Sequence, residues 1–195
     1  MCEENAIKTV NVPSVLYGCC YTADLDSDYI TYVDILPNLK KRKGTYLCTD
    51  IRCVDFTKYD VILCSPPCNF YSRAAGNRHS TYALSTRELL PFCINEAYKS
   101  GKPFLIENVR NRKYMFHLDI PSDVIIIEYG RHTYFTNVLF NLQLAPQRQD
   151  FKNHGYVIRY DDLSTLEHQG GYNVNNVFKE FLSFLLPNYF ETVYN

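Results

Sequence analysis

Two short apolar runs, Asp60–Cys64 and Phe104–Ile106, flank a polar loop through His79 and a helix-periodic segment. Strands that alternate with helical material in this way pair in parallel, and their crossover is right-handed. The intervening helix is predicted from Ser85 to Ser100. Ser85 and Glu88 form a capping box, Leu89, Leu90, Cys93 and Ala97 make the apolar face, and Gly101 ends it. Pro91 falls in the first turns, where a missing N–H is tolerated. Further strand-like runs lie at Ser14–Tyr17, Tyr29–Asp34 and Thr45–Thr49 before this unit, and at Val124–Tyr129, Thr133–Val138 and Tyr156–Tyr160 after it. An amphipathic helix from Val174 to Leu186 is stopped by Pro187, and Asn141–Gly155 reads as a long loop. The 195 residues are therefore expected to form one α/β domain, a mostly parallel sheet with helices on both faces.

Composition limits the partners. The net charge of −1 argues neither for nor against nucleic acid, but the balance is uneven: Arg73 to Lys113 holds eight Lys/Arg against three acids. A local basic excess beside a site suits a polyanionic substrate. Eight cysteines without a charged and then apolar opening segment point to a reducing intracellular compartment, and no run is apolar for long enough to span a membrane. Cys64 and Cys68, taken with Cys48, Cys53 or His79, lack a tight C-x2-C spacing, so no metal site is expected.

In open α/β sheets the ligand sits beyond the carboxyl ends of the strands. Those ends carry Gly18 with Cys19 and Cys20, then Asp34, Asp50, Ser65-Pro66-Pro67-Cys68 and Glu107-Asn108-Val109. Acids after two consecutive strands suit a nucleoside cofactor, one taking ribose hydroxyls and the other the adenine amino group.

A Pro-Pro-Cys ending one strand and a Glu-Asn-Val ending the next closely resemble the cytosine-C5 DNA methyltransferases. The resemblance implies a Rossmann-like S-adenosylmethionine-dependent fold, with Cys68 as nucleophile and Glu107 as its catalytic partner. The chemistry accounts for both residue types. Cytosine C5 is a weak nucleophile, so a thiolate first adds to C6 and makes the ring an enamine. A carboxylic acid at N3 relieves the charge that develops there. Ser65, Pro67, Ser72, Asn108 and Val109 are expected around the base and its phosphate, and Arg73, Arg78, Arg110 and Arg112 along the backbone of the nucleic acid.

Upstream, Ile30–Asp34 and Cys48-Thr-Asp50-Ile51 resemble the family's second and third strands. That places S-adenosylmethionine against Tyr17, Gly18, Asp34, Asp50, Ile51 and Pro66. An alternative register uses Asp24 or Asp26 for the ribose. The first loop, Val15–Cys20, keeps one glycine where the family has a glycine-rich turn. Downstream, Glu128–Asn137 resembles the segment that brings a basic residue to the flipped base, here Arg131 with His132 beside it. Gly171-Tyr-Asn173-Val174 resembles the closing motif on the cofactor side. Only Asn141–His168 remains for a target-recognition region, as in the short forms found among viruses and phages. The substrate expected is cytosine flipped out of DNA, with RNA as a second polymer for the same chemistry. A non-catalytic nucleic-acid or protein binder is the reading if the shortened first loop has lost the cofactor.

Overall fold

The computed structural model describes residues 12–20, 25–37, 43–72, 78–115, 117–140, 148–152, 155–160 and 174–187. Nine strands among these form one sheet: β1 (Val15–Gly18), β2 (Ile30–Asp34), β3 (Thr45–Cys48), β4 (Val61–Cys64), β5 (Phe104–Val109), β6 (Ile125–Tyr129), β7 (His132–Thr136), β8 (Arg148–Lys152) and β9 (Gly155–Tyr160). Their order is β3-β2-β1-β4-β5-β7-β6-β9-β8. The first five strands are mutually parallel, and β7 runs antiparallel between β5 and β6. Strand order reverses between β1 and β4, so their carboxyl ends open a crevice. This is the Rossmann-like, mostly parallel sheet with helices on both faces expected from the sequence, extended at one edge by the β8–β9 hairpin.

Alternation along the strands divides the core into two layers. Tyr17, Tyr32, Leu63, Leu105 and Tyr134 face one side and pack on Val177, Phe178, Phe181 and Leu182 of α4 (Val174–Leu185; α1 to α3 follow). Leu16, Val33, Ile62, Phe104, Ile106 and Phe135 face the other side, against Leu90, Cys93, Ile94 and Ala97 of α2 (Leu89–Lys99). Central strands covered on both faces must be apolar throughout, which explains the uninterrupted Val-Ile-Leu-Cys of β4.

Two expectations are corrected. The helix predicted from Ser85 is two helices, α1 (Thr81–Thr86) and α2, and the capping box is absent. Ser80 caps α1 by accepting from Ala83 N, whereas Ser85 donates its hydroxyl to Tyr82 O inside the helix. Glu88 precedes α2 without a side-chain cap, and Pro91 sits in the first turn. Gly101, at φ +67°, ends α2 as expected. The second correction falls within Asn141–Gly155, where Arg148–Lys152 is a strand paired antiparallel with β9. A short helix, α3 (Arg112–Met115), follows β5.

The Phe178 ring is fully buried, edge-on to Tyr17 at 5.2 Å, whereas Phe184 on the same helix is 52% exposed. Phe178→Ala is expected to cost roughly 3–5 kcal/mol in urea unfolding. Phe184→Ala should cost about 1 kcal/mol or less.

Candidate active site

The crevice between β1 and β4 holds a cavity of about 650 Å³. Its walls include Tyr17, Asp34, Asp50, Ile51, Ser65, Pro66, Pro67, Cys68, Glu107 and Val109, all singled out from strand ends in the sequence. Gly18 lies just behind the wall. It pairs with Cys64 across the sheet, and Ser65 N donates to its carbonyl at 3.1 Å. A Cβ at Gly18 would stand 2.6 Å from Ile51 Cδ1 and 2.9 Å from Cys64 Sγ, so close approach demands glycine. The next residue, Cys19, takes φ +54°, a left-handed conformation that costs a non-glycine residue about 1–2 kcal/mol. The chain thus makes its turn after β1 without the glycines of the resembled motif. Asp26 of the alternative register is off the cavity wall and accepts from Lys43 N at 2.6 Å. Asp24, Asn173 and Arg73 lie outside the described residues.

The loop that carries Cys68 is held by its neighbours. Tyr71 N and Ser72 N both donate to Cys68 O, at 2.9 and 2.7 Å. The buried Asn108 donates Nδ2 to Pro66 O at 2.9 Å and accepts from Val109 N through Oδ1, while Asn111 Nδ2 donates to Tyr71 O. Arg78 donates to Ser72 O at 2.7 Å and to the Tyr114 hydroxyl. Asn108, Ser72 and Arg78, expected on the substrate, are therefore off the cavity wall and bound into the architecture of the loop. Arg110 is also off that wall, its N–H donating to Arg131 O at 2.6 Å. The Arg112 side chain lies outside the described residues.

Glu107 Oε1 lies 2.5 Å from His132 Nδ1, and both residues line the cavity with Cys68. Arg131, expected at the base, is an exposed turn residue off the cavity wall, and from this segment it is His132 that reaches the cavity. Strand alternation gives the reason. Tyr134 packs into the core, and His132, two residues earlier on β7, shares its side of the sheet. Burial pushes the Cys68 thiol above its ordinary range, and the Glu107 charge pushes in the same direction. Tyr17 places its hydroxyl 3.3 Å from Ser65 Oγ, and burial drives its ionisation far upward.

On the opposite wall Arg52 grips Asp50 through Nε at 2.9 Å and Nη2 at 2.5 Å, and its backbone N–H also donates to Asp50. The side-chain bond to Arg52 holds the Asp50 carboxyl below its ordinary value. Asp34 accepts from Leu36 N at 3.0 Å, and Ile35 and Leu36 beside it are 60% and 42% exposed on the cavity wall. Sequence reasoning also missed Tyr82, Ser85, Thr86 and Leu89, which α1 and α2 bring to the rim. Cys64 is a packing residue. Its thiol and that of Cys19 lie against the fully buried Cys93, whose ionisation is pushed well up by those contacts, Cys19 first. No group of three or more His, Cys, Asp or Glu among the described residues is placed to hold a metal, and no helix among them is long and apolar enough to cross a membrane.

Fold and site together define a Rossmann-like α/β domain with a cysteine and a glutamate in the crevice at its strand ends. No protein-family model matches the chain, and no curated protein matches it. Among solved structures it is similar to a mutant of Spodoptera frugiperda DNMT2, at 17% sequence identity and a TM-score of 0.40. The match covers 76% of this chain and 55% of that one, so the chain spans about half that protein's length. Function therefore rests on the chain's own residues.

Because Glu107 raises the Cys68 thiol, neutralising it should make the sulfur more reactive at a given pH. Iodoacetamide labelling of Cys68, followed by peptide mass spectrometry, is expected to accelerate as pH rises through the alkaline range. In Glu107→Gln the same curve should lie at lower pH.

Proposed function

We propose that this chain is an S-adenosylmethionine-dependent cytosine-C5 methyltransferase that acts on DNA, with RNA as the alternative polymer. The observation that supports the reading best is the shared cavity, which holds the Cys68 thiol and the Glu107–His132 pair on one wall and two strand-end acids on the other. A nucleophile and an acid in one crevice are what addition to C6 of a pyrimidine requires.

The residues also suit the cofactor. Exposed Ile35 and Leu36 beside Asp34, with Ile51 facing the same cavity, make an apolar slot next to a carboxylate. Asp34 is assigned to the ribose, and the Asp50–Arg52 pair to the adenine edge. S-adenosylmethionine bound there supplies an electrophilic methyl group. The remaining chemistry belongs to the protein and the base. Cys68 forms a bond to C6, and the C5–C6 electron pair moves onto C5 and into the ring. Glu107 holds a proton at N3 as charge develops, and His132 at 2.5 Å fixes the carboxyl. After C5 is alkylated its hydrogen leaves as a proton taken up by solvent water, the C5–C6 double bond re-forms, and Cys68 is expelled as its thiolate.

Two outcomes test the reading. An oligonucleotide containing 5-fluorocytosine retains fluorine where the proton must leave, so a denaturation-resistant adduct should accumulate. That adduct should require S-adenosylmethionine and vanish in Cys68→Ala, while Glu107→Gln should slow its formation by about 10²-fold or more. No adduct on DNA or RNA, despite measurable cofactor binding, would sink the covalent mechanism.

Asp34→Ala is expected to weaken S-adenosylmethionine binding by about 1–3 kcal/mol in calorimetric titration, the usual effect of leaving a bound hydroxyl without its partner. Asp26→Ala should leave binding unchanged. Wild-type protein that does not bind the cofactor at all would favour the non-catalytic binder.

A further inference from the structure

A second cavity, of about 690 Å³, lies on the other side of the Cys68 loop. The partition between the two is thin in sequence. Cys68 faces the first cavity and Phe70 the second, just as Leu89 faces the first and Phe92 the second. The second cavity is an aromatic groove whose edge carries two cations, Arg87 and Lys113, and two acids, Glu88 and Asp119. Phe70 and Tyr114 bring their ring centroids to 5.5 Å at 61°, with the Arg87 guanidinium 6.0 Å from the Phe70 centroid and Lys113 Nζ 5.7 Å from that of Tyr114. Both cations are exposed, and the acid nearest Arg87 is Glu88, paired with it at 2.6 Å.

We propose that this groove takes an unpaired nucleotide next to the reacting cytosine, its base against Phe70 and Tyr114 and its phosphate on Lys113 and Arg87. The proposal rests on the cytosine reading above and sharpens it. Rings interleaved with Lys and Arg are the chemistry that holds single-stranded nucleic acid, because every base has a π-face and every nucleotide a charge. The volume is in the range of a small-molecule pocket and fits one nucleotide. A neighbouring base still stacked and paired in a duplex cannot enter the groove. The preferred substrate is therefore a cytosine in a single strand or loop rather than in continuous double helix.

The test uses the full chain and fluorescence anisotropy with short single strands of DNA and of RNA, each containing one cytosine. A second set has abasic nucleotides on both sides of that cytosine, and a third is duplex. Wild type should bind the abasic strand and the duplex about tenfold more weakly than the intact strand. Phe70→Leu keeps an apolar side chain against Tyr71 but removes the ring face, and Lys113→Gln removes a charge without disturbing the core. Phe70→Leu should bind the intact strand about tenfold more weakly and lose the distinction between intact and abasic strands. Lys113→Gln should lower the salt dependence of binding. If Phe70→Leu and abasic flanks weakened binding independently, or if duplex bound as tightly as single strand, the groove would not hold a base. The 5-fluorocytosine adduct reads the other cavity. Adduct formation without any flank effect would overturn this proposal alone, and a flank effect without adduct would overturn the catalytic reading alone.

Discussion

The position of every group in the crevice depends on how closely the end of β1 approaches β4 and the turn after β3. At Gly18 there is no room for a β-carbon, because Ile51 and Cys64 already occupy the space it would need. The contact follows from the reversal of strand order. β1 is paired on both sides, so Asp34 at the end of β2 and Ser65 after β4 emerge on either side of it. Any residue that pushed those ends apart would widen the slot between Asp34 and Cys68. The left-handed Cys19 belongs to the same constraint, since the chain must leave β1 sharply while its thiol packs against the buried Cys93.

The Cys68 loop shows how a half-buried thiol is kept in place. Its prolines restrict the backbone but leave carbonyls that need donors. Side-chain amides from β5 and the segment beyond it meet that need, Asn108 at Pro66 and Asn111 at Tyr71, both buried. The second residue of Glu-Asn-Val therefore works on the loop while the first works in the cavity. Two strand ends that look like separate motifs in sequence are one hydrogen-bonded unit in the fold.

The central strands were legible because burial on both faces leaves uninterrupted apolar runs, as in Val61–Cys64 and Phe104–Ile106. The cavity wall was legible for a related reason, since strand carboxyl ends in such a sheet converge and exact strand bounds are not needed to find them. What remained hidden depended on register or on backbone alone. Choosing His132 over Arg131 requires knowing which residue of the turn begins the strand. The break between α1 and α2 rests on Ser80, whose capping bond looks no different in sequence from the Ser85 and Glu88 pattern. Arg148–Lys152 pairs with β9 through its main chain at the edge of the sheet, and Arg-Gln-Asp-Phe-Lys has too little apolar content to announce a strand.

The electrostatics of the crevice bear on the reactivity of the Cys68 thiol. Burial and the charge of Glu107 both disfavour the Cys68 thiolate, which at first sight opposes its proposed role. The two effects respond differently to a bound base. In the proposed reaction the proton that the Cys68 thiol gives up as its sulfur bonds to C6 is balanced by one gained at Glu107 and N3, so the Glu107 charge that disfavours the thiolate is lost as the addition proceeds, whereas the effect of burial persists. His132, at 2.5 Å from Glu107, holds that carboxyl in place. Before that step burial and the Glu107 charge both favour the thiol over the thiolate, and the thiol is the form that resists alkylation and oxidation. On the proposed reading the pairing of cysteine with glutamate does more than serve two steps of one reaction, since the proton that stabilises charge on the base also removes the charge that holds the sulfur back.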